Sequence, residues 1–227
     1  MNTTMFNDSA AAFAQSIDTL IAQDNYQRGK FFLDAVQRFV PEGAEVLDYG
    51  CGPGRISCLL AREKYRVTGF DASQGMLTEA TKLVKAGLDL QFRLDPHEGR
   101  DLETGRYDAI VCSSVIEYLV DPEQLLRRFR NGLRPGGHLV ISYSNRSSLW
   151  RKFARMRYGK TLEFYRYQHN IWSFDDFKKI LGSTGFQAIT SPKYFEAAPF
   201  DKRPPLRFLT KSSLVGILGL VVARRVE

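Results

Sequence analysis

Long apolar runs are missing from this chain: the most extended, Leu214 to Ala223, is ten residues. That is about half of the roughly 20 a membrane-spanning helix requires, so it fits a terminal strand better. Cysteine is scarce, and Cys51, Cys58 and Cys112 form no Cys-x-x-Cys pair, which argues against a zinc ribbon or a redox dithiol and for reduced, buried thiols. There are three histidines, and no His/Asp/Glu cluster has ligand spacing, so no metal is expected. The start, Asn2-Thr3-Thr4, lacks the basic-then-apolar pattern of a secretion signal, and a cytoplasmic location is expected. No internal repeat or low-complexity segment interrupts the pattern.

A chain of 227 residues with 44% hydrophobic content can bury one sizeable core, so a single domain is expected. Its net charge of +7 is concentrated. Between Arg146 and Gln168 lie seven basic residues (Arg146, Arg151, Lys152, Arg155, Arg157, Lys160 and Arg166) against Glu163 alone, leaving +1 for the rest of the chain.

Apolar residues at helical spacing, Phe13, Ile17, Leu20 and Ile21, then Phe32, Ala35, Val36 and Phe39, predict helices over 10–22 and 28–40. Strand and helix patterns then alternate: strand 45–49, helix 54–63, strand 66–70, helix 73–86, strand 88–94, strand 107–113, helix 122–132 and strand 138–144. Helix 174–184, a strand near 186–196 and a final strand near 214–225 complete the chain. The alternation predicts an α/β fold, a doubly wound, mostly parallel sheet with helices on both faces and the ligand site at the strands' C-terminal ends. The organisation expected is N-terminal helices over 1–43, a cofactor-binding core over 44–144, a basic lid insertion over 145–172, and a C-terminal helix and strands over 173–227.

The most informative stretch is Val46-Leu47-Asp48-Tyr49-Gly50-Cys51-Gly52-Pro53-Gly54. A strand runs into a turn where Gly50, Gly52 and Gly54 permit positive φ and let backbone approach a ligand, and a helix follows. Asp71 ends the next strand, where Rossmann-type folds place an acid on ribose hydroxyls. Asp48 decides between ligands. A carboxylate just before the glycines repels a pyrophosphate but suits a ligand carrying an ammonium and a sulfonium. The ligand indicated is S-adenosylmethionine.

Together with Gly69-Phe70-Asp71-Ala72-Ser73-Gln74-Gly75-Met76-Leu77, Arg106-Tyr107-Asp108-Ala109-Ile110-Val111-Cys112 and Leu133-Arg134-Pro135-Gly136-Gly137-His138-Leu139-Val140-Ile141, this stretch resembles the class I S-adenosylmethionine-dependent methyltransferases. The resemblance covers about residues 44 to 143. It implies a seven-stranded Rossmann-like sheet whose last strand is antiparallel, with S-adenosylmethionine as cofactor and S-adenosylhomocysteine as product. Asp48 would receive the methionine ammonium, with Gly50, Cys51, Gly52 and Gly54 around the methionine part. Asp71 would take both ribose hydroxyls, or serve as the N-cap of the helix beginning at Ala72 or Ser73. Met76 would pack on the adenine beside Ala72, Asp95 would receive the adenine amino group, and Ser113 would line the methionine side. Arg28 resembles the basic residue that binds the methionine carboxylate in related enzymes.

A general base is expected from outside the cofactor turn. The loop Ser113-Ser114-Val115-Ile116-Glu117-Tyr118-Leu119 resembles the family's Leu-Glu-His segment, with Tyr118 where histidine is common. Glu117, Tyr118 and His169 are therefore the catalytic candidates. In Asn145 to Tyr158 a helix would carry an apolar stripe of Leu149, Trp150, Phe153 and Met156 bordered by cations, the pattern of a helix lying in a membrane interface. Its position resembles the insertion after strand five of the ubiquinone O-methyltransferases. The alternatives are an ordinary lid with the stripe on the core, or a cationic patch for an anionic acceptor. Phe164, Tyr165, Tyr167 and Trp172 are candidates for the wall of an acceptor pocket.

The expected partner is a small or lipid-like acceptor, with possible peripheral membrane contact through 146–160. Nucleic acid is not expected, because the Asn/Asp-Pro-Pro-Tyr/Phe/Trp motif of amino-methylating enzymes is absent. Methylation at oxygen is favoured over nitrogen, and a non-catalytic binding protein is the remaining alternative. Oligomeric state is not written in the sequence.

Overall fold

The computed structural model describes residues 7–22, 26–95, 97–158, 167–196 and 211–226. Chain order is α1 (Ala10–Ala22), α2 (Gln27–Phe39), β1 (Glu45–Tyr49), α3 (Arg55–Arg62), β2 (Arg66–Asp71), α4 (Gln74–Thr81), β3 (Leu90–Leu94) and β4 (Tyr107–Cys112). A 3-10 turn at Ile116–Tyr118 leads to α5 (Pro122–Gly132), β5 (Leu133–Ser144), α6 (Leu149–Tyr158), α7 (Phe174–Ser183), β6 (Phe186–Ala188), β7 (Lys193–Phe195) and β8 (Leu218–Arg225).

The sheet order is β3-β2-β1-β4-β5-β8-β6, with β7 also on β8. β3, β2, β1, β4 and β5 are parallel, and β8 runs antiparallel to β5, β6 and β7. Order reverses at β1, between β2 and β4, which creates the crevice at the C-terminal ends of β1 and β4. The expected fold is borne out with one difference in strand count. The strand foreseen over 186–196 is two strands, because Pro192 has no N–H for the ladder, and the chain crosses between them with Ile189 N donating to Val222 O and Thr190 Oγ1 accepting from Val222 N.

Both faces of the central strands are buried, so they read as continuous apolar runs. In β4, Ala109 and Val111 face one core with Phe32, Val36, Ile56 and Leu60, while Ile110 and Cys112 face the other with Leu126, Phe129, Phe177 and Leu181. Each of these large side chains contributes about 1.5–3 kcal/mol by leaving water. Helix starts follow local chemistry. Asp121 caps α5 by accepting from Gln124 N, with Pro122 in the first turn, and Ser173 caps α7 by accepting from Asp176 N. α4 ends earlier than its sequence pattern suggests, at Thr81, because the chain must turn back into β3 through Gly87 at φ +88.

Candidate active site

The glycine turn is fastened to the end of β2: Gly50 N and Cys51 N both donate to Phe70 O, at 2.7 and 2.9 Å. Gly50 is at φ +69, and a Cβ there would lie 2.1 Å from Val115 Cγ2, so conformation and space both require glycine. At Gly52 (φ +52) an added Cβ would meet only open space. Asp71 follows across the turn, its Oδ2 accepting from Gly52 N and its Oδ1 from Ser73 N, both at 2.8 Å. Two backbone donors fix the plane of the carboxylate and leave a lone pair on each oxygen for a diol. The N-cap of α4 is Ser73, which accepts from Met76 N, so Asp71 is released from that duty.

Asp48 is buried, 1% exposed, at the end of β1 and accepts from Ser57 Oγ at 2.6 Å. No cation among the described residues pairs with it. Burial pushes its carboxyl up to about 7, reinforced by Asp71 and opposed by the Ser57 hydrogen bond. A buried acid in this state gains most from a cationic ligand.

These groups open into one solvent-connected cavity with about 980 Å³ of space. Of the residues assigned to the cofactor from sequence, Asp48, Gly50, Cys51, Gly52 and Asp71 line it, as do Ala72, Met76, Asp95, Ser113 and Arg28. Gly54 does not. It is the left-handed N-cap of α3, and a Cβ there would lie 2.7 Å from Phe92 and 2.9 Å from Ala80 Cβ, so it serves helix–strand packing instead. Asp95 accepts from His97 N at 3.1 Å and Gly99 N at 2.6 Å, which turns the chain after β3. The Ser113 hydroxyl is buried without a hydrogen-bond partner among the described residues, an orphan that a bound group can satisfy.

The catalytic candidates separate. Tyr118 lines the cavity, and burial, with Glu117 beside it, raises its phenol well above the usual range, which suits a hydrogen-bond donor better than a base. Glu117 lies behind the wall, 1% exposed; its Oε1 accepts from Ser144 Oγ at 3.1 Å, and its Oε2 has no hydrogen-bond partner among the described residues. Burial raises its carboxyl, with Arg151 and Arg28 opposing. His169 is exposed and outside the cavity lining, against the expectation that it reaches the acceptor. Its segment is anchored by backbone, His169 N and Asn170 N both donating to Glu117 O.

The insertion is also corrected. Arg151, expected among the outward charges, is 6% exposed and donates to Ser144 Oγ, Gln168 Oε1 and Ile217 O at 2.7–3.1 Å. Trp172, a candidate for the acceptor wall, is core, packed against Phe177; Phe164 and Tyr165 lie outside the described residues. Phe13 and Ile17 of α1, together with Tyr26, line the cavity and were not foreseen as site residues. α1 is held over it by Asp18 accepting from Arg55 Nε and Nη2 at 2.7 and 2.5 Å, a pairing between distant elements that no local pattern announces.

A family model described as a methyltransferase domain matches residues 25–191. The chain belongs to the methyltransferase domain family. A ubiquinone biosynthesis O-methyltransferase of Caulobacter vibrioides is 36% identical over 120 residues, 52% of this chain and 48% of that one. The chain spans about half the length of the curated relatives it matches. A methyltransferase solved in complex with the Haloferax volcanii Trm112 activator superposes with a TM-score of 0.75 at 17% identity, covering 98% of each chain. Magnesium protoporphyrin IX methyltransferase of Synechocystis, with bound S-adenosylhomocysteine, superposes at 0.61 with 19% identity, covering 95% of this chain and 84% of that one. The residues lining the cavity fit S-adenosylmethionine: a buried acid with no cation paired to it among the described residues, a backbone-oriented carboxylate for a diol, a hydroxyl without a partner among the described residues, and open space at Gly52.

Proposed function

We propose that this methyltransferase methylates a hydroxyl oxygen of a small, lipid-like acceptor while resting on an anionic membrane surface. The bound cofactor supplies an electrophilic methyl group on a sulfonium. Asp48 receives the ammonium, Asp71 the two ribose hydroxyls, Met76 the adenine face and Arg28 the methionine carboxylate. Tyr118 and Tyr26, with Phe13 and Ile17, also line the cavity, apolar surface with phenolic donors that exclude water and can orient an acceptor oxygen. The curated relatives are named as O-methyltransferases, which supports oxygen as the methylated atom.

One observation carries the acceptor class. α6 turns its apolar stripe outward: Leu149 is 58%, Phe153 45% and Met156 81% exposed, one face at i, i+4 and i+7. Lys152 and Arg155 are exposed beside it, while Arg151 and Ala154 face the protein. Apolar residues between cations suit the headgroup boundary of an anionic bilayer. On its buried side α6 donates through Arg151 to Ser144 Oγ, which bonds Glu117 of the 3-10 turn whose Tyr118 lines the cavity, so the outward stripe and the site sit on connected elements. No described helix is long and apolar enough to cross a membrane.

Vesicle flotation tests this reading. Binding to phosphatidylglycerol vesicles, loss on phosphatidylcholine alone, and higher turnover of phenols bearing isoprenoid tails than of tail-free phenols are the expected results. Absence of vesicle binding at low salt overturns the membrane part, and methylation confined to amines overturns the oxygen assignment.

A further inference from the structure

Glu196 is not among the expected site residues, yet it holds a bidentate contact with Arg28 of the cavity wall. It follows β7 in the left-handed region, φ +57, a conformation that costs a non-glycine residue of order 1 kcal/mol or more and persists where surrounding contacts enforce it. Those contacts form a ladder between β7 and one face of α2. Lys193 reaches Asp34 at 3.5 Å and lies 4.1 Å above the Phe31 ring. Phe195, fully buried, packs edge-on against Phe31. Glu196 then accepts from Arg28 Nε at 2.7 Å and Nη2 at 2.8 Å, while its own carbonyl accepts from Ile217 N. Residues 28, 31 and 34 of α2 thus meet 196, 195 and 193 in reverse order.

The pairing matters because of which edge of the guanidinium it uses. Arginine offers five N–H donors in a rigid plane. Glu196 occupies the Nε–Nη2 edge and leaves the Nη1–Nη2 edge able to grip a second carboxylate in the same bidentate fashion. Arg28 lines the cavity together with Asp48, Gly50 and Ser113, the residues on its methionine side. A lone arginine on a helix would sample many rotamers; one locked along one edge presents the other in a single orientation.

We infer that Glu196 is a positioning residue for the cofactor: it fixes the Arg28 fork so that the free guanidinium edge receives the methionine carboxylate. The inference rests on the proposed role of Arg28, and the two can fail separately. It also gives β7 and the residue after it, remote in sequence from the glycine turn, a direct part in discriminating ligands that carry the amino-acid moiety from those that lack it.

Calorimetric titration of the full chain with S-adenosylhomocysteine and with 5′-methylthioadenosine, which lacks the amino-acid part, tests it. In Glu196→Gln, the affinity for S-adenosylhomocysteine should fall about tenfold with methylthioadenosine unchanged. Arg28→Lys should show the same selective loss, and the double variant should lose little more than either single one, as expected of two residues acting as a unit. Equal losses for both ligands would show a merely structural role and overturn the inference. Tighter binding of S-adenosylhomocysteine in Glu196→Gln would overturn it too, by showing that Glu196 competes with the cofactor carboxylate. If Arg28→Ala leaves the ratio of the two affinities unchanged, the carboxylate role of Arg28 falls; if Arg28→Ala lowers it and Glu196→Gln does not, only the positioning role falls.

Discussion

α6 and α7 are each ten residues long and are held to the protein in opposite ways. α7 buries Phe177 and Leu181 and leaves Asp175, Lys178 and Lys179 exposed. α6 buries Arg151 beside Ala154 and leaves Leu149, Phe153 and Met156 outside. Hydrophobic burial anchors the first; a hydrogen-bonded polar network through Ser144, Gln168 and the Ile217 carbonyl anchors the second. An apolar stripe at helical spacing is therefore no guide to which face meets the core when a buried arginine has acceptors waiting on the other side.

The contrast can be broken most directly at Phe177. Phe177→Ala should destabilise by about 4 kcal/mol, since it is fully buried and leaves a cavity; a urea-unfolding loss under 1 kcal/mol would deny that α7 is hydrophobically anchored. Arg151→Leu should cost about 3 kcal/mol in the same measurement, because Ser144, Gln168 and a main-chain carbonyl lose a charged donor in a buried setting. A neutral result would mean that the polar network does not hold α6.

Asp48 sharpens the comparison, being a buried charge without the partners that Arg151 has. Its carboxyl lies near 7 in the folded chain against 3.8 as reference, so the folded state binds the extra proton. Stability from this group is complete below about pH 4 and is lost as pH rises through 7. Asp48→Asn should therefore raise the melting temperature at pH 8 more than at pH 5 while weakening cofactor binding. In the unaltered protein, affinity for S-adenosylmethionine should rise about tenfold from pH 6 to 8 as Asp48 ionises, with methylthioadenosine showing no such rise; a flat profile for both ligands would contradict the assignment. The smallest effect is expected at the outer stripe. Leu149→Ser, Phe153→Ser and Met156→Ser should each change stability by less than about 0.5 kcal/mol and together abolish flotation on anionic vesicles. A large stability loss would show that the stripe is covered in the folded protein.

The cofactor half was legible because its chemistry is local. Asp48, the glycine turn and Asp71 lie on consecutive strand ends, and the strand–turn–helix pattern alone carries them to one crevice. Gly54 was legible as a required glycine but not for its reason, since the Phe92 and Ala80 contacts that exclude a side chain come from β3 and α4. The catalytic side was harder. His169 stands out in the sequence by residue type and position near a helix, and only the bonds from its backbone and Asn170 to the Glu117 carbonyl show where the segment runs.

What the sequence by itself determined is the alternation of strands and helices, the antiparallel end of the sheet by resemblance, and the acids flanking the glycine turn, because short-range periodicity and turn chemistry fix these before distant parts of the chain meet. Only the tertiary structure decided that Asp18 ties α1 over the cavity through Arg55, that Arg151 faces inward, and that Glu196 grips one edge of Arg28. Each depends on two groups 37 to 168 residues apart finding each other. Charge pairs and orphan acceptors leave no periodic trace in a sequence; they are settled by which surfaces the fold brings together and by the cost of burying any of them unpaired.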